Sequence, residues 1–201
     1  SLVYVDYLTS ALPYHLTGAP RVLVLGAGAG TDVLQALYHG AATVDAVELN
    51  PQMAHLVERD FGEFSGRPYS RPGVHLHIAE ARSFAAANRD QFDVIQFGPL
   101  DAFGASAAGL YALNESYHYT VEALQRYLMR LRPGGYRAMT RWVDLPPRDA
   151  LKLFATAVVA LEKQGVRDPG GRLAMIRNWN TATLIVKNGE LTPQDIARLR
   201  E

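Results

Sequence analysis

The chain has 201 residues, 48% of them apolar, which suits one domain and leaves too little for two comfortable ones. Its 20 basic and 20 acidic residues cancel, so the basic excess that marks nucleic-acid or anionic-membrane partners is missing, and no nucleic acid is expected. No cysteine is present, which excludes disulfides, thiolate zinc sites, iron–sulfur clusters and a cysteine nucleophile.

No run approaches the ~20 apolar residues needed to span a bilayer. The opening Ser1-Leu2-Val3-Tyr4 has neither the basic start nor the cleavage pattern of a signal peptide. The expectation is one cytoplasmic domain cut from a longer chain, with or without a membrane anchor, with a lead-in helix over 1–20, a βα core over 21–142 and a closing part over 143–201.

In chain order, Arg21-Val22-Leu23-Val24-Leu25 reads as a strand too apolar to face water on either side. Gly26 to Gly30 turns it into a helix through Val33, Leu34, Leu37 and Tyr38. Thr43–Leu49 is a second strand, and Asn50-Pro51 caps and opens the next helix. Val74–Ile78 and Phe92–Phe97 are strands three and four, with a helix near Glu80–Asn88 between them. Glu115–Leu131 has helical spacing through Val121, Leu124, Leu128 and Leu131. Tyr136–Trp142 is a fifth strand. Pro146–Gln164 is a long helix with Leu151, Phe154, Val158 and Leu161 on one stripe. The gap between Arg172–Ile176 and Thr181–Lys187 is too short for a crossover, so these two pair antiparallel. Thr192-Pro193-Gln194-Asp195 starts a terminal helix. Five βα units followed by a hairpin is the order of the Rossmann-like, class I S-adenosylmethionine (SAM) methyltransferase fold: α/β, with a mostly parallel seven-stranded sheet.

The glycine-rich turn Gly26-Ala27-Gly28-Ala29-Gly30 can be a ligand cradle or only a tight strand-to-helix turn. Glu48 closes the second strand about twenty residues on, where a carboxylate can accept both hydroxyls of a ribose. Glu80 follows the third strand, so both acids reach the carboxyl edge where open α/β sheets bind ligands. Thr31 departs from the third position of the dinucleotide fingerprint, while Gly30 fits the looser pattern of SAM-binding proteins. The pattern favours SAM or a relative over NAD.

From about Tyr4 to Trp142 the chain resembles spermidine synthase-type aminopropyltransferases. The resemblance rests on Arg21–Gly26, Val47-Glu48-Leu49-Asn50, Glu80-Ala81-Arg82-Ser83-Phe84, Phe92–Ile95, Asp101-Ala102-Phe103-Gly104, Leu110-Tyr111 and Glu115-Ser116-Tyr117. It implies SAM, decarboxylated SAM or methylthioadenosine as ligand, with Gly26, Ala27, Gly28, Gly30, Asp32, Glu48, Leu49, Glu80 and Ala81 around it. In that family Glu48 holds the ribose and an acid at Glu80 meets the adenine amino group. The family's glycine loop carries an aspartate where this chain has Ala29, and its amine-deprotonating aspartate aligns with Gly98. Asp101 is retained, as a displaced base or as a loop acid capping a turn.

An amine of pKa near 10 must lose a proton before it attacks, and a placed carboxylate is worth ~10²–10⁴-fold. Without one at 98, methyl transfer to a small-molecule acceptor is favoured over polyamine synthesis. A SAM-binding sensor or scaffold is the third alternative. Asp32, in the first helical turn, suits the helix electrostatically or meets the ligand's ammonium in place of Ala29. Tyr111, Tyr117 and Arg141 line the acceptor side or belong to core and rim. His75-x-His77 lacks a third ligand, so it reads as a strand face and no metal is expected. A homodimer is the candidate assembly.

Overall fold

Val22 to Leu25 have essentially no exposed surface, so the run RVLVL is a strand covered on both faces, as an all-parallel neighbourhood requires. The computed structural model, which describes residues 2–98, 118–143 and 146–200, sets this strand, β1 (Arg21–Leu25), near the middle of a seven-stranded sheet. The others are β2 (Thr43–Glu48), β3 (Val74–Ile78), β4 (Phe92–Phe97), β5 (Leu131–Trp142), β6 (Leu173–Arg177) and β7 (Thr181–Lys187). Their spatial order is β3-β2-β1-β4-β5-β7-β6. The first five pair parallel, and β7 pairs antiparallel with both β5 and β6.

The described helices are α1 (Thr31–Tyr38), α2 (Pro51–His55), α3 (Gly62–Ser65), α4 (Ala81–Ala87), α5 (Val121–Leu128), α6 (Arg148–Lys163) and α7 (Pro193–Arg198). Because side chains alternate along a strand, Leu23, Leu25, Ile95, Phe97 and Met139 face α4, α5 and α6. Val22, Val24, Val44, Ala46 and Val94 face the opposite way, toward α1, α2 and Tyr69. The chain reverses direction in strand order between β1 and β4, which opens a crevice at their carboxyl ends. Among the described residues no helix is long and apolar enough to cross a membrane.

Three expectations need correction. The lead-in segment is helical but of the 3-10 kind and in two pieces, Val3–Tyr7 and Thr9–Leu16, in place of one helix; Pro13 inside the second cannot donate to an α-ladder. The buried stripe of α6 is Ala150, Leu153, Ala157, Ala160 and Leu161, while Leu151 is 64% exposed and Phe154 37%. Small alanines let the helix approach α5 and the sheet closely, which bulky residues on that face would prevent. Leu131 opens β5, where it pairs with Phe92, and so lies outside α5. Arg132 to Gly135 bulge out before Tyr136 pairs with Val94.

Candidate functional site

The crevice at the carboxyl ends of β1, β2 and β4 is a cleft of about 920 Å³, a volume that suits a nucleoside-sized ligand. Gly26, Glu48, Leu49, Glu80, Ala81 and Phe97 line it, with His118, Arg82 and Arg126 among the polar groups at its walls.

Glu48 ends β2 and is almost wholly buried, yet its carboxylate borders the cleft. Gly28 N–H donates to its Oε2 and Asn50 N–H to its Oε1, both at 2.8 Å. Two donors leave unused acceptor positions on both oxygens of a carboxylate already fixed in orientation. The glycine turn itself has few donors to offer. Gly26 and Ala27 N–H both go to Val47 C=O at 2.9 Å, and Gly30 N–H goes to Ala27 C=O at 2.8 Å. A turn whose N–H groups are spent on the protein and flanked by a carboxylate is poorly suited to a pyrophosphate, which needs free donors. It suits a neutral or cationic ligand.

The glycines of this turn do different jobs. Gly26, Gly28 and Gly30 all have positive φ. A Cβ on Gly28 would meet only Gly26 O, at 3.8 Å, so positive φ and not crowding is what favours glycine there. A Cβ on Gly30 would collide with the ring of Pro68. Gly30 therefore serves packing against the turn 68–70, whose Tyr69 hydroxyl donates to Gly28 C=O at 2.5 Å.

Glu80 is the N-cap of α4. It accepts from Arg82 N–H at 2.8 Å and from Ser83 N–H and hydroxyl at 2.7 and 2.8 Å. Burial works against its charge, but these donors and His118 hold its carboxyl below the usual range. His118 packs against Phe97, and its Nδ1 lies 3.0 Å from the Tyr127 hydroxyl. Burial pulls it down to about 4, against the pull of Glu80, so it is neutral at physiological pH.

Asp32 stands in the first turn of α1. Gln96 Nε2 donates to its Oδ1 at 2.9 Å and to Gln35 Oε1 at 2.7 Å, and Tyr14 donates to Gln96 Oε1. Its Oδ2 points at the backbone of Gly98, where any Cβ would collide with it. Burial pushes the Asp32 carboxyl up to about 6, with the Gln96 hydrogen bond opposing. Asp32 is not on the cleft wall; its Oδ2 abuts Gly98, the residue after Phe97, which is.

The sheet edge thus brings together Gly26, Gly28, Glu48, Leu49, Glu80 and Ala81, with Ala27 and Gly30 supporting the turn. Arg141 is not among the residues lining this cleft; it lies near Asp149 Oδ2 at 3.4 Å, with its guanidinium 4.3 Å from the ring of Tyr119, which packs edge-on against Phe97. Asp101, Tyr111 and Tyr117 lie outside the described residues. Sequence reasoning missed Gln96, Gln35 and Tyr14. The available signal was a glutamine inside the otherwise apolar end of β4, because a buried amide demands partners.

No family model matches the chain. A polyamine aminopropyltransferase from Korarchaeum cryptofilum is 25% identical over 102 residues, which is 51% of this chain and 32% of that protein. Among solved structures, a probable spermidine synthase from Corynebacterium glutamicum superposes with a TM-score of 0.67 at 21% identity, over 98% of this chain and 69% of the other. Spermidine synthase from Thermotoga maritima gives 0.65 at 18% identity, over 97% of this chain and 62% of its own. Human methyltransferase-like protein 13, solved with SAH, gives 0.62 at 19% identity, over 98% and 92%. The fold is therefore the Rossmann-like one shared by class I SAM methyltransferases and spermidine synthases. The chain spans about a third of the length of the curated relative it matches.

Proposed function

We propose that this chain is a transferase domain that binds SAM, or its decarboxylated or methylthioadenosine relatives, and transfers a group to a small-molecule acceptor. The observation that carries this is Glu48, oriented at the cleft by Gly28 and Asn50 N–H with acceptor capacity left for two ribose hydroxyls. Glu80, charged and capped, has one acceptor position left for an adenine amino group, and Leu49 and Ala81 supply apolar walls. SAM or decarboxylated SAM, when bound, would supply a carbon activated by its sulfonium; methylthioadenosine, a neutral thioether, would bind without donating a group. The protein then has to hold the acceptor in line, about 3–3.5 Å from that carbon. A carboxylate 32 that is charged above pH about 6 offers a counter-charge for the ligand's ammonium on the side where Ala29 has none.

Methyl transfer is the favoured chemistry, because Gly98 carries no base for a protonated amine and the space beside it is taken by Asp32. The match to a polyamine aminopropyltransferase supports a second reading, aminopropyl transfer with Asp101 as base. The cysteine-free chain suits a reducing cytoplasm.

Calorimetry with SAM, decarboxylated SAM and methylthioadenosine tests the assignment. At least one should bind, and Glu48→Gln should weaken it about tenfold or more, since a charge-assisted hydrogen bond is worth about 1.5–3 kcal/mol. Failure of all three to bind a folded sample sinks the cofactor assignment. Putrescine turnover with decarboxylated SAM, abolished by Asp101→Asn, would move the reading to aminopropyl transfer. Binding without turnover over a broad acceptor panel would leave a sensor.

A further inference from the structure

At the C-terminal end of α1, the end away from the glycine turn, three side chains converge without any hydrogen bond between them. Asp6 Oδ1 lies 2.9 Å from His15 Nε2 and 3.4 Å from His39 Nε2. One donor atom from each residue falls within 4.8 Å of the other two. Both Asp6 Oδ1 and His39 Nε2 are buried atoms with no hydrogen-bond partner. An unsatisfied buried polar atom costs about 1–3 kcal/mol, and two of them side by side call for a shared partner.

We infer that Asp6, His15 and His39 form a binding site for a divalent cation of the zinc class, which staples the amino-terminal segment to the end of α1. Zn–N and Zn–O bonds of about 2.0–2.1 Å put neighbouring tetrahedral ligands about 3.3 Å apart, close to the spacings found. Two imidazoles and one carboxylate suit zinc and its transition-metal neighbours, whereas magnesium and calcium take all-oxygen sets. His15 is half exposed, so water can complete the fourth position. The alternative, a simple carboxylate–imidazolium pair, fits poorly. Asp6 Oδ1 and His39 Nε2, 3.4 Å apart, make no hydrogen bond, which a paired imidazolium would form.

The rings are held in place by packing. Tyr14 stacks on His39 with centroids 5.1 Å apart and planes 4° apart, and Tyr38 meets its edge. Asp6 comes from the first 3-10 stretch, His15 from the second, and His39 is the C-cap of α1. A cation there would tie together three pieces of backbone, two of them short 3-10 segments with little hydrogen bonding of their own. The site stands independently of the proposed transferase function.

The test is titration of chelator-treated chain with Zn²⁺, and with Mg²⁺ in parallel, followed by calorimetry and thermal unfolding. The expected result is one zinc per chain, no magnesium binding and a raised unfolding midpoint with zinc. His39→Gln and Asp6→Asn should each weaken zinc about tenfold or more, since each removes one of three protein ligands. A His75→Ala variant should bind as before, which separates this site from the exposed histidine of β3. Should His39→Gln fail to fold, His15→Ala at the half-exposed corner decides. No zinc bound by the folded chain, or binding unchanged by these ligand substitutions, overturns the inference.

Discussion

Gly98 and Asp32 compete for the same space: any side chain at 98 would run into Asp32 Oδ2. Gly98→Ala should therefore cost about 1–3 kcal/mol by overpacking. In an Asp32→Ala background most of that cost should vanish, giving a coupling that urea unfolding of the four-member cycle would measure. The same carboxyl makes a pH prediction. Its folded pKa of about 6 stands above the ordinary 3.8, so between these values the folded chain holds a proton that the unfolded chain releases. Its contribution therefore falls as pH rises from about 4 to 6 and is level above that. Asp32→Asn should remove this slope and gain about 1–3 kcal/mol over wild type at pH 7, where the buried carboxylate is charged. Urea unfolding of both chains at pH 4.5, 5.5 and 7 reads the difference; parallel curves would refute it.

At the scale of elements, α6 shows how far periodicity reaches. Its register was set by Leu151 and Phe154 in the sequence pattern, but the sheet accepts the face bearing Ala150, Ala157 and Ala160. Ala157→Leu should then destabilise by about 1–3 kcal/mol, because a fully buried alanine leaves no room for three more carbons. Leu151→Lys should stay within about 0.5 kcal/mol. Denaturation midpoints in which Leu151→Lys is the more damaging would mean that the helix is turned the other way. The strands were far easier to locate. The bounds of β1, β3, β4 and β7 coincide with the sequence pattern; for β1, between Pro20 and Gly26, burial on both faces leaves little choice of composition, whereas β3 is a half-exposed edge strand marked by its alternation after Gly73.

For the molecule as a whole, Asp195 joins parts distant in sequence. It accepts from Tyr136 on β5 at 2.8 Å, from Lys187 on β7, and from Thr192 N–H at 2.7 Å, closing the capping box of α7. Burial opposes its charge, but these donors, Lys187 first, bring its carboxyl down to about 2. The stability it contributes is complete above pH 4 and is lost as pH falls through about 2. Asp195→Ala leaves the buried Lys187 ammonium uncompensated and should cost about 3–5 kcal/mol, read as a lower urea midpoint at pH 7. A change below about 1 kcal/mol would show that α7 is not held by this carboxylate.

The sequence by itself determined the βα order, the antiparallel hairpin, the capped helix starts at Asn50 and Thr192, and the acids Glu48 and Glu80 at the ends of β2 and β3. These follow from local rules: side-chain period, cap chemistry, and the fact that strand ends in a parallel sheet share one edge. Only the tertiary structure decided that Asp32 meets Gly98, that Gln96 bridges Asp32 to Tyr14, and that Asp6, His15 and His39 converge. It also placed Arg137 wholly inside, with its guanidinium 4.1 Å from the Tyr127 ring and no hydrogen-bond partner among the described residues. Such contacts join residues tens of positions apart, and the same side chains would be unremarked surface groups had the elements packed differently. Burial gives them their chemistry, and burial is a property of the packed molecule.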